Sequence, residues 1–175
     1  MAELFLGESL NKVDGKGRVS IPAPFRRVLD ESDPTRDPGS RARVVINYGD
    51  PRKNYLTCYS KTAFAEVARQ IMDLPRGSRE RDVLSSYILA KSHETDIEPD
   101  GRLVLPAVVR DKIGLAMPDE ALFVGAGDTF QIWKPETHAE AEAAKLEKYL
   151  EAQPDDFDPL IYLDNHRRQT GAGGE

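Results

Sequence analysis

Apolar and polar residues alternate in a short stretch near the start of the chain. Val19 and Ile21 are separated by a single polar residue, which predicts a strand whose apolar side chains face inward and whose polar ones face outward. Pro22 closes that strand and is suited to the first turn of a helix. Phe25 and Leu29 then lie four residues apart, so we predict a short helix that covers the sheet with its apolar side.

The same pattern returns eighty-four positions later. The run DGKGRVSIPA, which begins at Asp14, recurs as EPDGRLVLPA, which begins at Glu98. Leu103 and Leu105 replace the inward-facing pair, and a second proline again opens a helix. A turn rich in glycine precedes each strand, so each copy displays one arginine beside a turn. We conclude that one structural unit is used twice.

The remaining periodicity predicts further strands and helices in each copy. In the first copy we predict strands at 43–48 and 55–59, a helix capped by Ser60 or Thr62 that ends near Leu74, and a helix over 79–90. In the second we predict strands at 122–124 and 130–133 and a helix over 136–150. Sheets this small have little surface to bury. The two β-β-α-β-β units are therefore expected to interlock into one α+β barrel with internal pseudo-twofold symmetry and peripheral helices.

These elements suggest an order of segments along the chain. Residues 7–61 form the first repeat and 92–137 the second, and 62–91 hold the helices that connect them. We predict a C-terminal helix over 138–152, followed by an acidic tail over 153–175. The glycine-rich end, including Gly173 and Gly174, is typical of a loosely attached or disordered segment.

Charge is distributed unevenly. The chain has a formal net charge of −6, which by itself argues against a nucleic-acid partner. From Pro135 to the end there are ten acids and four bases, so the first 134 residues, with twenty of each, balance to zero. Several bases of the first copy lie around its turn. A local basic patch on a neutral body is therefore compatible with DNA binding.

The repeated motif resembles a known family. Asp14-x-x-x-Arg18 followed by Val-Ser-Ile-Pro-Ala, and its second copy around Arg102, look like MraZ, a family related to AbrB-type proteins. The resemblance covers roughly residues 6–150 and implies a bacterial transcriptional regulator with a swapped-hairpin β-barrel that binds double-stranded DNA. It also implies ring-shaped homo-oligomers that act on the promoter of the division and cell-wall gene cluster. Such a protein would be cytoplasmic and associated with the nucleoid.

Arginine suits DNA because its planar group of donors matches either phosphate oxygens or the O6 and N7 acceptors of guanine. Lysines beside it would add phosphate contacts without sequence information. The predicted DNA-binding residues are Arg18, Arg102, Lys16, Lys12, Gly17 and Gly101, with Arg26 and Lys91 as further candidates for phosphate contact. The predicted turn-supporting residues are Asp14, Gly15, Glu98 and Asp100. Glutamate at 98 departs from the family motif, so we expect Arg102 to be held less firmly than Arg18.

Ordinary structural roles remain open for several of these residues. Asp14 can have a purely structural role, as a turn residue or as an ion-pair partner of Arg18, because a carboxylate repels phosphate. Gly15 can be present for a positive φ angle alone. Arg26 and Arg27 can be solvated helix residues.

Other functional classes find less support. No cluster of acid, base and nucleophile or of metal ligands is evident, so we expect no enzyme, no metal and no cofactor. Cys58 is expected in the core and His138 at a capping or surface position, and only His93 is placed to approach DNA. No segment has the pattern of a membrane span or a signal peptide. An oligomeric adaptor that binds other proteins is the alternative function.

Overall fold

The computed structural model describes residues 3–171 of the chain. They divide into two compact units, the first ending at His138 and the second beginning at Ala139. The first unit holds both predicted repeats. Residues 172–175, which include the glycines predicted to be loosely attached, lie outside the described residues.

The first repeat and the helices after it follow the predicted order. The strands are β1 (Glu8–Val13), β2 (Arg18–Ser20), β3 (Arg43–Asn47) and β4 (Tyr55–Ser60), with helix α1 (Ala23–Glu31) between β2 and β3. Helices α2 (Lys61–Asp73) and α3 (Arg79–Leu84) come next. As predicted, Ser60 caps α2, and its hydroxyl accepts a hydrogen bond from the backbone N–H of Ala63 at 3.1 Å.

The helix predicted over 79–90 is shorter than expected. It ends at Leu84 and continues as one π-helical turn, Ser85–Leu89. The side chain of Asn47, buried on β3, donates hydrogen bonds to the carbonyl oxygens of Tyr87 at 2.9 Å and Lys91 at 3.1 Å. These carbonyls are thereby tied to the sheet, which favours the wider turn over a regular helix.

The second repeat reproduces the first. It comprises β5 (Ser92–Asp96), β6 (Arg102–Val104), α4 (Ala107–Ile113), β7 (Asp119–Gly125) and β8 (Thr129–Trp133). Helix α5 (Pro135–Tyr149) starts in the first unit and ends in the second. The second unit also contains α6 (Ile161–Gly171), every residue of which is exposed, within the segment for which composition predicted a loose tail.

All eight strands form one antiparallel sheet in the order β5-β3-β4-β8-β7-β1-β2-β6. The two strands at the ends of this order, β5 and β6, are consecutive in the chain and are joined by a short turn. This connection brings the two edges of the sheet together, so the sheet forms a nearly closed barrel. The first strand of each repeat pairs with the third strand of the other repeat: β1 with β7, and β5 with β3. The predicted α+β barrel with swapped hairpins and pseudo-twofold symmetry is therefore confirmed.

The pseudo-twofold axis passes between β2 and β6. Val19 lies opposite Leu103 at the middle of this short ladder. The backbone N–H of Leu105 donates to the carbonyl of Gly17 at 2.8 Å, and that of Ile21 donates to the carbonyl of Gly101 at 3.1 Å. These two bonds are related by the internal symmetry, and they join each turn to the other repeat.

The barrel core comes from both repeats. Val19, Leu103 and Phe130 have less than 1% of their surface exposed. The rings of Phe5 and Phe25 lie 5.0 Å and 5.2 Å, respectively, from the Phe130 ring, measured between centroids. Such close ring contacts add to the free energy gained by burying apolar surface. Cys58 is in this core as predicted, and burial raises the pKa of its thiol.

One predicted surface residue is buried. His138 was expected at a capping or surface position, but its ring packs edge-on against Trp133, with centroids 5.2 Å apart, and it is 8% exposed. The imidazole of His138 here covers an aromatic ring. The composition of its helix, which is rich in Ala and Glu, does not predict this contact. Within residues 3–171, no helix is long and apolar enough to cross a membrane.

Candidate nucleic-acid interface

The first turn, residues 14–18, is organised by one carboxylate. Asp14 Oδ1 accepts the backbone N–H groups of Lys16 and Arg18, both at 2.9 Å, and its Oδ2 accepts Arg18 Nε at 2.7 Å. The backbone N–H of Arg18 contributes most to lowering the pKa of Asp14, which falls to about 2 although desolvation opposes the shift. At neutral pH the turn therefore contains a fully ionised carboxylate that fixes the arginine at both its backbone and its side chain.

The second turn, residues 98–102, uses a different carboxylate. Asp100 Oδ1 accepts the backbone N–H of Arg102 at 3.2 Å, and its Oδ2 accepts Arg102 Nε at 2.6 Å. Glu98, which occupies the motif position, contributes backbone bonds: its N–H donates to the Arg102 carbonyl, and its own carbonyl accepts from Gly101, both at 2.8 Å. The carboxylate that pairs with Arg102 is therefore not the one at the motif position, because Asp100 supplies the ion pair from a position two residues before the arginine.

Each turn is covered by an arginine from a helix near the pseudo-twofold axis. Gly17 and Gly101 have φ angles of 79° and 85°, a region that favours glycine, and both are buried. A side chain at Gly101 would overlap the Arg26 guanidinium, and one at Gly17 would lie 3.1 Å from Arg110 Nη1. Because glycine has no side chain, an arginine of the opposite repeat can approach each of these positions closely.

Arg26 is therefore no ordinary solvated helix residue. It is half-buried, and its Nη1 donates to the Ile21 carbonyl at 3.0 Å. Its counterpart Arg110 did not emerge from the sequence, and its Nη1 contacts the sulfur of Met117. Each of the two arginines follows the proline that opens its helix by four positions. Alignment of the two repeats would therefore have identified them as equivalent residues.

The outward side chains of β2 and β6 form one surface, which we call the outer face: Arg18, Ser20, Arg102 and Val104. In the ladder register Arg18 lies opposite Val104, and Ser20 lies opposite Arg102. The two arginines are thus diagonal neighbours, with backbones about 7–8 Å apart. Both side chains are about one-third exposed. The structure thus brings the two predicted arginines to the same face of the barrel.

The predicted lysines fall in different places. Lys16 is exposed at the tip of the first turn, next to exposed Gly15. Lys12 is exposed on β1, opposite Glu120 of β7. Lys91 immediately precedes β5, so the whole strand, roughly 15 Å long, separates it from the second turn. The structure therefore groups Lys12 and Lys16 with Arg18 and leaves Lys91 apart.

His93, the histidine placed nearest to DNA by the sequence, lies within β5, opposite Ile46 of β3. It is the second residue of that strand, so it is also distant from the turn. Among residues 3–171, no group of three or more His, Cys, Asp or Glu side chains is arranged to hold a metal ion.

Comparison with known proteins gives one consistent result. The family model described as "MraZ protein, putative antitoxin-like" matches residues 4–84. A protein of Ruegeria sp. (strain TM1040) and one of Ruegeria pomeroyi are 53% and 51% identical over 174 residues, which is 99% of this chain and 99% of each relative. A protein of Cereibacter sphaeroides (strain ATCC 17025 / ATH 2.4.3) is 42% identical over 156 residues, 86% of this chain and 91% of that relative. All three bear the name "Transcriptional regulator MraZ". By this identity along nearly its whole length, the chain belongs to the MraZ family.

Proposed function

We propose that this protein is a transcriptional regulator that binds double-stranded DNA through the outer face of β2 and β6 and the first turn. The observation that supports this most is the fixed position of Arg18, whose Nε is bonded to Asp14 at 2.7 Å while its side chain remains partly exposed. Membership of a family whose relatives are named transcriptional regulators supports the same role. In a bacterial cell this function places the protein in the cytoplasm, at the nucleoid.

The geometry suits a guanidinium contact. The ion pair with Asp14 is made by Nε, so it does not consume the edge formed by the two Nη groups. That edge matches two phosphate oxygens or the paired acceptors of guanine. Lys12 and Lys16 would add phosphate contacts whose strength falls as salt is raised.

A single chain offers few such contacts, which predicts weak binding by one copy. A homo-oligomer, which the family resemblance suggests is a ring, would present many identical turns and strengthen binding on the order of 10²–10⁴-fold if its DNA contained several spaced sites. We therefore propose repeated short DNA sites as the target. The promoter of the division and cell-wall gene cluster is the proposed location.

Arg18→Ala tests the proposal, with Arg27→Ala as a matched control, since Arg27 is exposed on α1 and not part of either turn. Sites would first be selected from random duplexes with the wild-type protein. Fluorescence anisotropy with a selected duplex at about 50 and 200 mM salt should then show that Arg18→Ala binds roughly tenfold more weakly or worse. Wild-type affinity in a folded Arg18→Ala protein would refute the proposal.

A protein-binding adaptor is the second candidate, and one feature favours it. Leu160, Ile161, Tyr162 and Leu163 are all at least 48% exposed in the second unit. Exposed apolar groups in such a run are typical of a segment that contacts another protein. An adaptor would show neither salt-sensitive nor sequence-dependent DNA binding in the same titration, so the two functions are separable.

A further inference from the structure

The two turns differ in charge at equivalent positions. Residues 12–18 contain three bases and one acid, a net charge of +2. Residues 96–102, eighty-four positions on, contain one base and three acids, a net charge of −2. The arginine is retained, but Lys12 is replaced by Asp96 and Lys16 by Asp100. The symmetric backbone thus presents two turns of opposite charge.

The structure shows what this difference does to each arginine. In the first turn the single carboxylate, Asp14, is used by three hydrogen bonds within the turn, and Lys16 remains exposed at the tip. In the second turn the tip position is Asp100, and this same carboxylate pairs with Arg102. Two further acids, Asp96 and Glu98, accompany it. The charge of Arg102 is therefore balanced by the carboxylate with which it pairs, and the sequence before it is acidic.

Neighbouring residues reduce the difference in charge between the two turns but do not reverse its sign. Lys12 lies opposite Glu120, and Asp96 lies opposite Arg43. Arg43 is itself paired with Glu94 at 3.2 Å and lies 3.6 Å from the buried carboxylate of Asp33. Each turn also receives one arginine from a helix, as described above. The clearest difference is therefore at the tips, between Lys16 and Asp100.

We propose that each chain contacts DNA mainly through the first turn, residues 14–18. The acidic second turn, residues 98–102, is kept away from the phosphate backbone. This inference rests on the proposed function and narrows it, since Arg102 lies on the same face but does not act as an equal contact. Like charges repel, and the second turn together with the end of the strand before it carries three carboxylates within seven residues. The asymmetry gives each subunit a defined orientation on the duplex.

Single arginine variants separate the turns. Arg18→Ala, Arg102→Ala and the control Arg27→Ala would be titrated against the selected duplex across salt concentrations. We expect Arg18→Ala to weaken binding roughly tenfold or more and to reduce the salt slope, by about 0.9 for each phosphate that the variant no longer neutralises. Arg102→Ala should weaken binding several-fold less than Arg18→Ala does. Equal losses of affinity for Arg18→Ala and Arg102→Ala would overturn this inference while leaving the proposed function intact, and no loss in either would overturn both.

Charge exchange at the tips provides an independent test. Lys16→Asp should weaken binding and flatten the salt dependence, whereas Asp100→Lys should strengthen binding and steepen it. Asp100→Asn keeps an oxygen acceptor for the Arg102 backbone and should also bind more tightly than wild type, which covers the case in which Asp100→Lys fails to fold. Weaker binding by folded Asp100→Lys or by Asp100→Asn would contradict the exclusion of the second turn.

Discussion

The Asp14 carboxylate holds Arg18 at two points, the backbone N–H at 2.9 Å and the side-chain Nε at 2.7 Å. Because these bonds favour the ionised carboxylate, the pKa of Asp14 in the folded protein lies at about 2 instead of the ordinary 3.8. A lowered folded-state pKa means that the stabilisation is present above the ordinary pKa and is lost as the pH falls through about 2. The first turn should therefore keep its geometry at all pH values above about 4.

The Asp14 titration can be followed directly by carboxyl ¹³C NMR. Arg18→Ala removes the Nε donor but keeps a backbone N–H at position 18, which is the largest contribution to the lowered pKa. We expect the pKa of Asp14 to rise in this variant and yet to remain below 3.8. Arg27→Ala, which removes no hydrogen-bond partner of Asp14, should leave this pKa unchanged. An unaltered pKa in Arg18→Ala would show that the ion pair is absent in solution.

Alanine substitutions in the turns should distinguish glycines that are required from one that is not. Gly17 and Gly101 have positive φ angles and are buried, so Gly17→Ala and Gly101→Ala should each lower the free energy of unfolding by about 1–2 kcal/mol. Gly15 does not have the positive φ angle that its place in a Gly-x-Gly turn suggests, and a Cβ added there would have no heavy atom from elsewhere in the chain within 4 Å. Gly15→Ala should change stability by less than about 0.5 kcal/mol. Urea denaturation of the three variants measures the difference, and equal effects would contradict it.

The aromatic core should be sensitive to a single truncation. Phe130 contacts Phe5, Phe25 and Phe123 in the barrel interior. Phe130→Ala should therefore cost about 3–5 kcal/mol of unfolding free energy, because it removes buried apolar surface and leaves a cavity. Phe157→Ala in the second unit is the control and should cost much less. Comparable destabilisation of the two variants in chemical denaturation would show that the core is not organised around Phe130.

Removal of the predicted tail tests the proposed domain boundaries. All buried residues of the hydrophobic core lie at or before Ile132. A protein that ends at Ala152 should thus unfold cooperatively, with an unfolding free energy within about 1 kcal/mol of the full chain. Calorimetry of the two proteins makes the comparison. A broad or absent transition in the shortened protein would mean that residues 153–175 belong to the folding unit.

Local patterns in the sequence were sufficient for most of the barrel. The alternation around Val19 and Leu103 predicted the inward face, and the prolines at 22 and 106 predicted the start of each short helix. The repeat then predicted the symmetry. These features depend on residues close together in the chain, where side-chain periodicity follows directly from backbone geometry.

Features that depend on the other repeat were not accessible in this way. Arg26 lies against Gly101, seventy-five positions later, and this contact exists only because the hairpins are exchanged. Asp100 was predicted to support the second turn, but its ion pair with Arg102 was not predicted, because the family motif places the carboxylate four residues before the arginine and not two. The π-helical turn after Leu84 is hydrogen-bonded by the amide of Asn47, a residue on a strand distant in sequence.

The exchange of first strands means that neither repeat contains a complete sheet. A half-length chain would need a second copy to pair its edges, so joining two copies end to end replaces a bimolecular association by one with a high effective concentration. When the two halves are joined in one chain, their sequences can also differ from each other. In a dimer of two equal halves, a lysine at the tip of one turn would be a lysine at both, whereas a fused chain can keep Lys16 in one half and acquire Asp100 in the other.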